Sequence, residues 1–441
     1  MGHLSGKDVY SDLGQRIDGL AVRAPWNETL REILSELCSP EEAALLGGLP
    51  DGMSTLEEVA RATGQAREGL RESLDRLCDR GLVIDLMAGG EYRYALSPMV
   101  VGVFEFTMMR TDSGYDPKRL AHLFHEYMEH SPFLRANFND GTQTTLFRAL
   151  PHDGTMGGAD LPEQYAEVLD YERARSIVEQ SDDFGVGICS CRHEHEHLGD
   201  KACDDPLEMC TTLGRPTVDY LVRRNLGRRI SRAEMLERVD RSRERGLVLC
   251  ADNVQRNVTF ICHCCSCCCG ILRAIRVHGM TRIAATSSYI ARSDDPTCKG
   301  CNHCENACPI QAIRMVPETR PDRKRKVRPE IDEDVCLGCG VCVVKCQTGA
   351  MHLEARPRRI IPPETTFRRV LLMALDRGTL QNMIFDHPER GTHRFLRGLL
   401  GGFLGLQPVK RALMSEQLRS RFLGAMESGI RAQGKGWLLE L

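Results

Sequence analysis

The sequence predicts an α+β multidomain chain, and three observations carry that expectation. Helical spacing followed by a glycine-centred hairpin marks the first hundred residues. Helix-like and strand-like segments then alternate through a stretch studded with cysteine. Beyond it, eight cysteines stand in two evenly spaced runs, and a basic stretch without cysteine follows. The expected division is 27–97, a connection of undefined character at 98–160, then 161–292, 293–353 and 354–441.

Within 27–97, apolar spacing predicts a helix over 28–38 and a short one over 41–46. Helices over 55–62 and 66–80 follow, separated at Gly64 and stopped at Gly81. Segments 82–86 and 92–96 read as two strands about a Gly89-Gly90 turn. Helices closed by such a hairpin make the pattern of a winged-helix domain, the hairpin being its wing. The helix over 66–80 sets Arg67, Arg71, Arg76 and Arg80 against Glu68, Glu72, Asp75 and Asp79. That balance argues against DNA as a partner, because phosphates demand a basic surplus. Cys38 and Cys78 fall on apolar positions and read as core.

The next defined stretch, 161–292, reads as a small cysteine-rich α/β domain. A long helix is expected over 163–181, strands over 185–188, 247–249 and 258–261, and helices over 216–225 and 271–277. Another helix opens at Ser231, where Ser231 and Glu234 form a capping box, and ends at Gly246. Each expected strand runs into cysteine at its C-terminal end, the edge where open α/β sheets bind ligands. Cys189, Cys191, Cys203 and Cys210 supply four thiols within 22 residues, enough for one cluster or one tetrahedral zinc. Cys262, Cys264, Cys265, Cys267, Cys268 and Cys269 place six thiols in eight positions. Neighbouring side chains diverge, so these six cannot all face one cluster. Some must turn elsewhere, toward Cys250 or an iron with an incomplete thiolate set. Arg192 is a fixed cation beside them, able to raise a cluster's potential or hold an anion. The alternating His193, Glu194, His195, Glu196 and His197 invite a metal-site reading, but read first as a solvated loop.

The eight remaining cysteines read Cys298-x2-Cys301-x2-Cys304-x3-Cys308-Pro309 and Cys336-x2-Cys339-x2-Cys342-x3-Cys346. Two-residue gaps let a tight loop wrap three corners of one iron–sulfur cube and leave the fourth out of local reach. A zinc ribbon would leave the third and fourth cysteines of each run unexplained. The runs resemble the bacterial ferredoxin with two [4Fe–4S] clusters, in which the fourth cysteine of each run crosses to the other cluster. The resemblance implies one cluster on Cys298, Cys301, Cys304 and Cys346, and another on Cys336, Cys339, Cys342 and Cys308. The one departure is Gln347, where a second proline would stand. Together with segment 187–193 and block 261–269, these features resemble, over roughly 30–350, the long winged-helix and ferredoxin-fusion iron–sulfur proteins of anaerobic bacteria. That resemblance implies a two-cluster ferredoxin-like domain, one or two further iron–sulfur clusters, and electron transfer without a defined substrate.

Composition is consistent with this. The chain has 441 residues, 42% hydrophobic and 27% charged, and 21 cysteines. The first thirty residues hold no apolar core of a secretion signal, and no apolar run reaches the roughly eighteen residues of a membrane span. Thiolates bound to metal in a reducing cytoplasm are therefore expected, in place of secreted disulfides. Neither Gly-x-Gly-x-x-Gly nor Gly-x4-Gly-Lys-[Ser/Thr] occurs, so no dinucleotide or ATP loop is indicated. Residues 354–441 carry fifteen Lys/Arg against eight Asp/Glu, a basic helical tail on an otherwise acidic chain. There Phe395, Leu396, Leu399, Leu400, Phe403 and Leu404 recur at helical steps. They read first as a core helix, with docking on a partner subunit or an anionic membrane surface as the alternative. Segment 320–328, with six basic residues and one acid, would dock an acidic redox partner. The expected function is electron transfer between a redox partner and a further cluster in the cysteine-rich domain. A reductase with an open-site cluster at 262–269 and a redox-sensing winged-helix regulator are the alternatives. No catalytic residue is assigned, and oligomeric state is left open.

Overall fold

The computed structural model describes residues 8–111, 114–139, 141, 143–156, 171–293, 296–385 and 391–439. Helix and strand are mixed along the whole chain. Helices Val9–Asp18, Glu28–Leu37, Pro40–Gly47 and Leu56–Thr63 come first, and local caps start them. Asn27 accepts from the Leu30 N–H, while Ser39 with Glu42 and Thr55 with Glu58 form reciprocal capping boxes. Strands β1 (Ser54–Thr55), β2 (Val83–Ala88) and β3 (Glu91–Leu96) form an antiparallel sheet in the order β1-β3-β2. Gly89 and Gly90, at φ +63° and +85°, make the tight β2–β3 turn that residues with a Cβ rarely adopt. The helix Arg67–Asp79 is regular only after a break at Glu68 and Gly69. It buries Leu70, Leu74, Leu77 and Cys78 and exposes Arg67, Arg71 and Arg76. Cys38 and Cys78 both lie in this apolar core, and burial pushes the Cys38 thiol up to about 12.

The centre of the molecule is a seven-stranded sheet. Its strands are β4 (Phe147–Leu150), β5 (Phe184–Ile188), β6 (Glu208–Leu213), β7 (Gly227–Arg229), β8 (Val248–Asp252), β9 (Phe260–Cys264) and β10 (Ala284–Ala285). The order is β10-β4-β8-β9-β6-β5-β7, and every neighbouring pair except β10–β4 is antiparallel. This corrects the expectation of three strands feeding an open α/β site. β4, β6 and β7 were not recognisable because Phe-Arg-Ala-Leu, Glu-Met-Cys-Thr-Thr-Leu and Gly-Arg-Arg are too short or too polar to show a period of two. Consequently Cys210, Cys250, Cys262 and Cys264 lie within strands, while β5 and β9 run directly into Cys189 and Cys265. Most of the helix expected over 163–181 lies outside the described residues, which show Ala174–Gln180. Around the sheet stand the helices Arg215–Arg223, Arg232–Arg245 and Gly270–His278. Ser231 caps the second of these by accepting from the Glu234 N–H at 3.1 Å. The Glu234 carboxylate turns instead to Arg228 and Arg238, so only half of the expected capping box forms.

The histidine-rich segment is a helix, Ser190–Leu198, and no solvated loop. Arg192, His193, Glu194 and His195 are buried because this helix packs on Phe104–Met108 and Pro117–Glu129. Beyond the sheet, β11 (Tyr289–Arg292) pairs with β14 (His352–Ala355), and β12 (Ile313–Pro317) with β13 (Val327–Ile331). The tail folds as helices Thr366–Arg377, Leu380–Ile384, Gly391–Leu404, Gln407–Met414 and Glu416–Ala432 around Leu371, Leu375, Leu404, Met414 and Leu423. Of the six apolar positions read as a core face, Leu404 is buried and Leu400 packs beside it. Phe395, Leu399 and Phe403 are 72%, 65% and 56% exposed, and Leu396 is exposed with them. Near the end of the chain Trp437 lies under Arg93 of β3, 4.4 Å from ring to guanidinium. No described helix is long and apolar enough to cross a membrane.

One buried cation joins the N-terminal unit to the sheet. Arg224 donates to Asp75 (2.8 Å), Asp79 (3.0 Å) and Asp85 (3.0 Å), while Arg223 reaches Asp85 at 2.6 Å. Asp85→Ala would leave this arginine pair in a nearly closed site without its main acceptor. A loss of about 3–5 kcal/mol is expected, read as a lower urea midpoint and earlier proteolytic release of residues 27–97. Asp219→Ala, which removes an exposed partner of Arg223, should cost less than about 1 kcal/mol.

Candidate functional site

The two evenly spaced cysteine runs fold as a near repeat. In each, the residue before the second cysteine and the residue after it are left-handed: Gly300 and Asn302 at φ +68° and +69°, Gly338 and Gly340 at +67° and +80°. These bends turn three cysteines of each loop inward. A short helix, His303–Ala307 or Val341–Val344, then carries the chain to the fourth. Cys308 thereby lines one cavity with Cys336, Cys339 and Cys342, of about 330 Å³ counting its open mouth. Cys346 joins Cys298, Cys301 and Cys304 around another of about 310 Å³. Ile310, Ile313 and Leu353 wall the first; Met315 and Met351 wall the second. The Ala312 N–H donates to Cys308 Sγ (3.2 Å) and the Met351 N–H to Cys346 Sγ (3.4 Å). Burial pushes the Cys339 thiol up to about 12 and the Cys304 thiol up to about 11, so thiolates here need cations of their own. Four converging sulfurs, dry walls and amides aimed at sulfur fit a [4Fe–4S] cube in each cavity.

The eleven cysteines of the central region regroup across sequence. Antiparallel register sets Cys250 of β8 opposite Cys262 of β9, and Thr211 of β6 opposite Ile261, which brings Cys210 next to Cys262 from the other side. Paired residues share a face, so three adjacent strands each present a sulfur at one level. Cys264, two residues on from Cys262, shares that face. His263 takes the opposite face, bonded to Ser242 (2.6 Å) and Thr211 (3.1 Å). Burial first, and Arg192 second, drive its pKa down to about 3, so it is a neutral structural residue. Side-chain interactions run on from Cys189 to Cys191, Cys269, Cys264, Cys262 and Cys210, with Cys250 joined at Cys264. Seven thiols thus form one buried group. The start of the helix Gly270–His278 adds amide donors, Gly270 toward Cys191 and Leu272 toward Cys269.

The other four, Cys203, Cys265, Cys267 and Cys268, form a separate group with all sulfurs within 4.8 Å of one another. Cys268 donates to Cys265 and, with the Arg192 cation nearby, draws that thiol well below the usual thiol range against the cost of burial. Arg192 is buried between Cys265 and Cys189 of the seven-thiol group, and it donates to the His263 carbonyl at 2.6 Å. The sequence groups are therefore split. Cys203 leaves its neighbours, and the block 262–269 divides between the two sites. Cys250 completes the larger group; its signal was a lone cysteine inside the apolar run Val248–Asp252.

Comparison with known proteins agrees with the two-cavity segment. Residues 297–350 match the 4Fe-4S dicluster domain family. A stretch of 79 residues, 18% of this chain, is 31% identical to a component of the ion-translocating oxidoreductase complex of Methanosarcina acetivorans. It spans 26% of that protein, so the chain covers about a quarter of the length of the curated relative it matches. No solved structure matches the chain. The protein is thus an iron–sulfur protein of ferredoxin type, with two [4Fe–4S] clusters in its dicluster segment.

Gly338 has no room for a side chain, since a Cβ would run into the Tyr289 carbonyl and the Ser287 hydroxyl. Gly338→Ala adds this overlap to an unfavourable φ. It should destabilise the loop by on the order of 3 kcal/mol, seen as iron loss at a lower temperature than in the parent.

Proposed function

We propose that this chain passes single electrons between a redox partner and the buried seven-thiol centre of its sheet. The observation that carries this reading is the succession of sulfur-lined sites. Cys304 of one cavity stands near enough to act electrostatically on Cys342 of the other. Cys339 acts in the same way on Cys250 of the sheet group. Arg192 lies between that group and the four-thiol group. The junction is rigidly tied: the His152 N–H donates to the Cys339 carbonyl (3.1 Å) while its ring meets the Leu247 carbonyl (2.8 Å).

In this reading Cys298, Cys301, Cys304 and Cys346 hold one [4Fe–4S] cluster, and Cys336, Cys339, Cys342 and Cys308 the other. Bound clusters supply one-electron chemistry. The chain's own part is to converge the sulfurs, exclude water and aim amides at the thiolates. Seven thiols exceed what one cube takes, so the sheet group holds two clusters or one larger one. The four-thiol group suits a single tetrahedral ion, whose ligand sulfurs stand about 3.8 Å apart when the metal–sulfur bond is about 2.3 Å. Cys301 is exposed, which makes its cavity the point of access for a partner. Beside it Arg325 is turned inward onto Glu318, while Lys324 and Lys326 face solvent and would meet an acidic carrier. The relative's membership of a redox complex is in keeping with a protein partner.

A reductase centred on the sheet group is the second reading, favoured by the buried Arg192 cation beside surplus thiols. Residues 27–97 serve, in our reading, as a winged-helix module used for packing. Asp75 and Asp79 of its second long helix hold Arg224 inside the protein, which leaves a DNA-binding role without support. The division near 97 follows the first sheet and is proposed as a domain boundary, whereas cuts at 292 and 353 would split the β11–β14 pair, so the dicluster unit is proposed to run from about 289 to 355.

Anaerobically prepared protein should contain about twelve or more irons per chain with matching sulfide, eight of them from the dicluster segment. Iron near four per chain, with zinc making up the balance, would sink the proposal. Cys308→Ser should perturb the EPR signal of the cluster on Cys336, Cys339 and Cys342 and spare the other. Damage confined to the cluster on Cys298, Cys301 and Cys304 would reverse the ligand assignment.

A further inference from the structure

Three side chains from two helices converge in a group that includes no thiol. His125 on the helix Pro117–Glu129, and Glu194 and His195 on the helix Ser190–Leu198, each bring a ligand atom within 4.8 Å of the others. The two imidazole rings meet edge to face at 5.5 Å. Glu194 and His195 are nearly closed off, with side chains 8% and 2% exposed, whereas His125 is 30% exposed. The group therefore opens to solvent on the His125 side. Burying a carboxylate is costly unless a cation compensates it. A second buried carboxylate, Glu105, lies close enough to feel the field of Glu194.

The remaining nitrogens are supported in the manner of metal-bound imidazoles. His195 Nδ1 pairs with Asp200 at 2.6 Å, which leaves Nε2 as its ligand atom. His125 faces Glu194 through Nδ1 (3.5 Å) and Glu129 through Nε2 (3.8 Å). Glu129 is itself fixed by Arg273 at 2.6 and 2.9 Å. Asp200 behind His195 fixes that ring's tautomer and orientation, as carboxylates do behind metal-bound imidazoles. His193 and His197 stand outside the group; they pair with each other at 3.0 Å, and His193 with the Met108 carbonyl.

We infer that His125, Glu194 and His195 bind one divalent first-row metal ion, Zn2+ or Fe2+, in an open three-ligand site. Two imidazoles and one carboxylate form a donor set for these ions, with positions left for water or a small anionic ligand. No thiol contributes, so this inference stands independently of how the cysteine groups are filled.

Zn2+ is the probe, added to the anaerobically prepared full-length chain with its clusters in place. Elemental analysis after gel filtration counts bound zinc, and X-ray absorption at the zinc edge reads its neighbours. The wild type is expected to hold one zinc with only nitrogen and oxygen neighbours at about 2.0–2.2 Å, distinct from any sulfur-bound zinc at about 2.3 Å. Glu194→Gln and His195→Gln should each lose that equivalent while iron and sulfide stay unchanged. Asp200→Asn, at a half-exposed position that should not disturb folding, is expected to weaken this zinc roughly 10–100-fold. Zinc held only through sulfur in the wild type would overturn the inference, as would unchanged affinity in the Asp200 variant. Should a buried-site variant also lose iron, the Asp200 comparison decides alone.

Discussion

The level row of Cys250, Cys262 and Cys210 across three neighbouring strands is the constraint around which the rest is arranged. Strands in register hold these side chains about 5 Å apart on one face. On that side the row is closed by Met109 and the Leu226 carbonyl, which pack so near Gly187 of β5, opposite Cys210, that a side chain there would strike them. Two helices then deliver sulfur from their starts: Cys189 and Cys191 at the helix Ser190–Leu198, and Cys269 at Gly270–His278. Sulfur buried in this density cannot ionise without compensating charge. The buried Arg192 between the two groups is the protein's own share of that compensation.

The other parts of the chain enclose this sheet. The dicluster segment meets it through Cys339 and His152, and the N-terminal unit through Arg224 and its three aspartates. From the tail, Arg369 lies 3.6 Å from Asp252 of β8, and Asp376 accepts from the Gln143 and Thr144 amides. These buried ion pairs add little net stability, but each becomes costly once one partner is lost. They therefore fix how the units sit on one another. Cys301 of the dicluster segment is left exposed, in the cavity that does not contain Cys339.

Several features were legible because they are local. The hairpin at Gly89-Gly90, the helix opened by Ser231 and the two cysteine loops each depend on residues within a few positions of one another. The seven-stranded sheet was not legible, since β4, β6 and β7 carry no alternating pattern and β10 is only two residues long. The histidine-rich segment misled for a related reason. Its polar composition resembles a loop, yet it is buried against the helices Phe104–Met108 and Pro117–Glu129, and Arg192 reaches the His263 carbonyl of β9. In the tail, helical spacing correctly marked one apolar face but carried no information on what covers it.

By itself the sequence determined that iron–sulfur chemistry is present, because two-residue gaps between cysteines leave a loop few other things to wrap. Only the tertiary structure decided which sulfurs of the central region stand together. That choice rests on strand register: one pairing sets Cys250, Cys262 and Cys210 side by side, and period-two alternation sends His263 to the opposite face. Register is fixed by burial of whole sheet faces, a property of the assembled sheet that no local window of sequence contains.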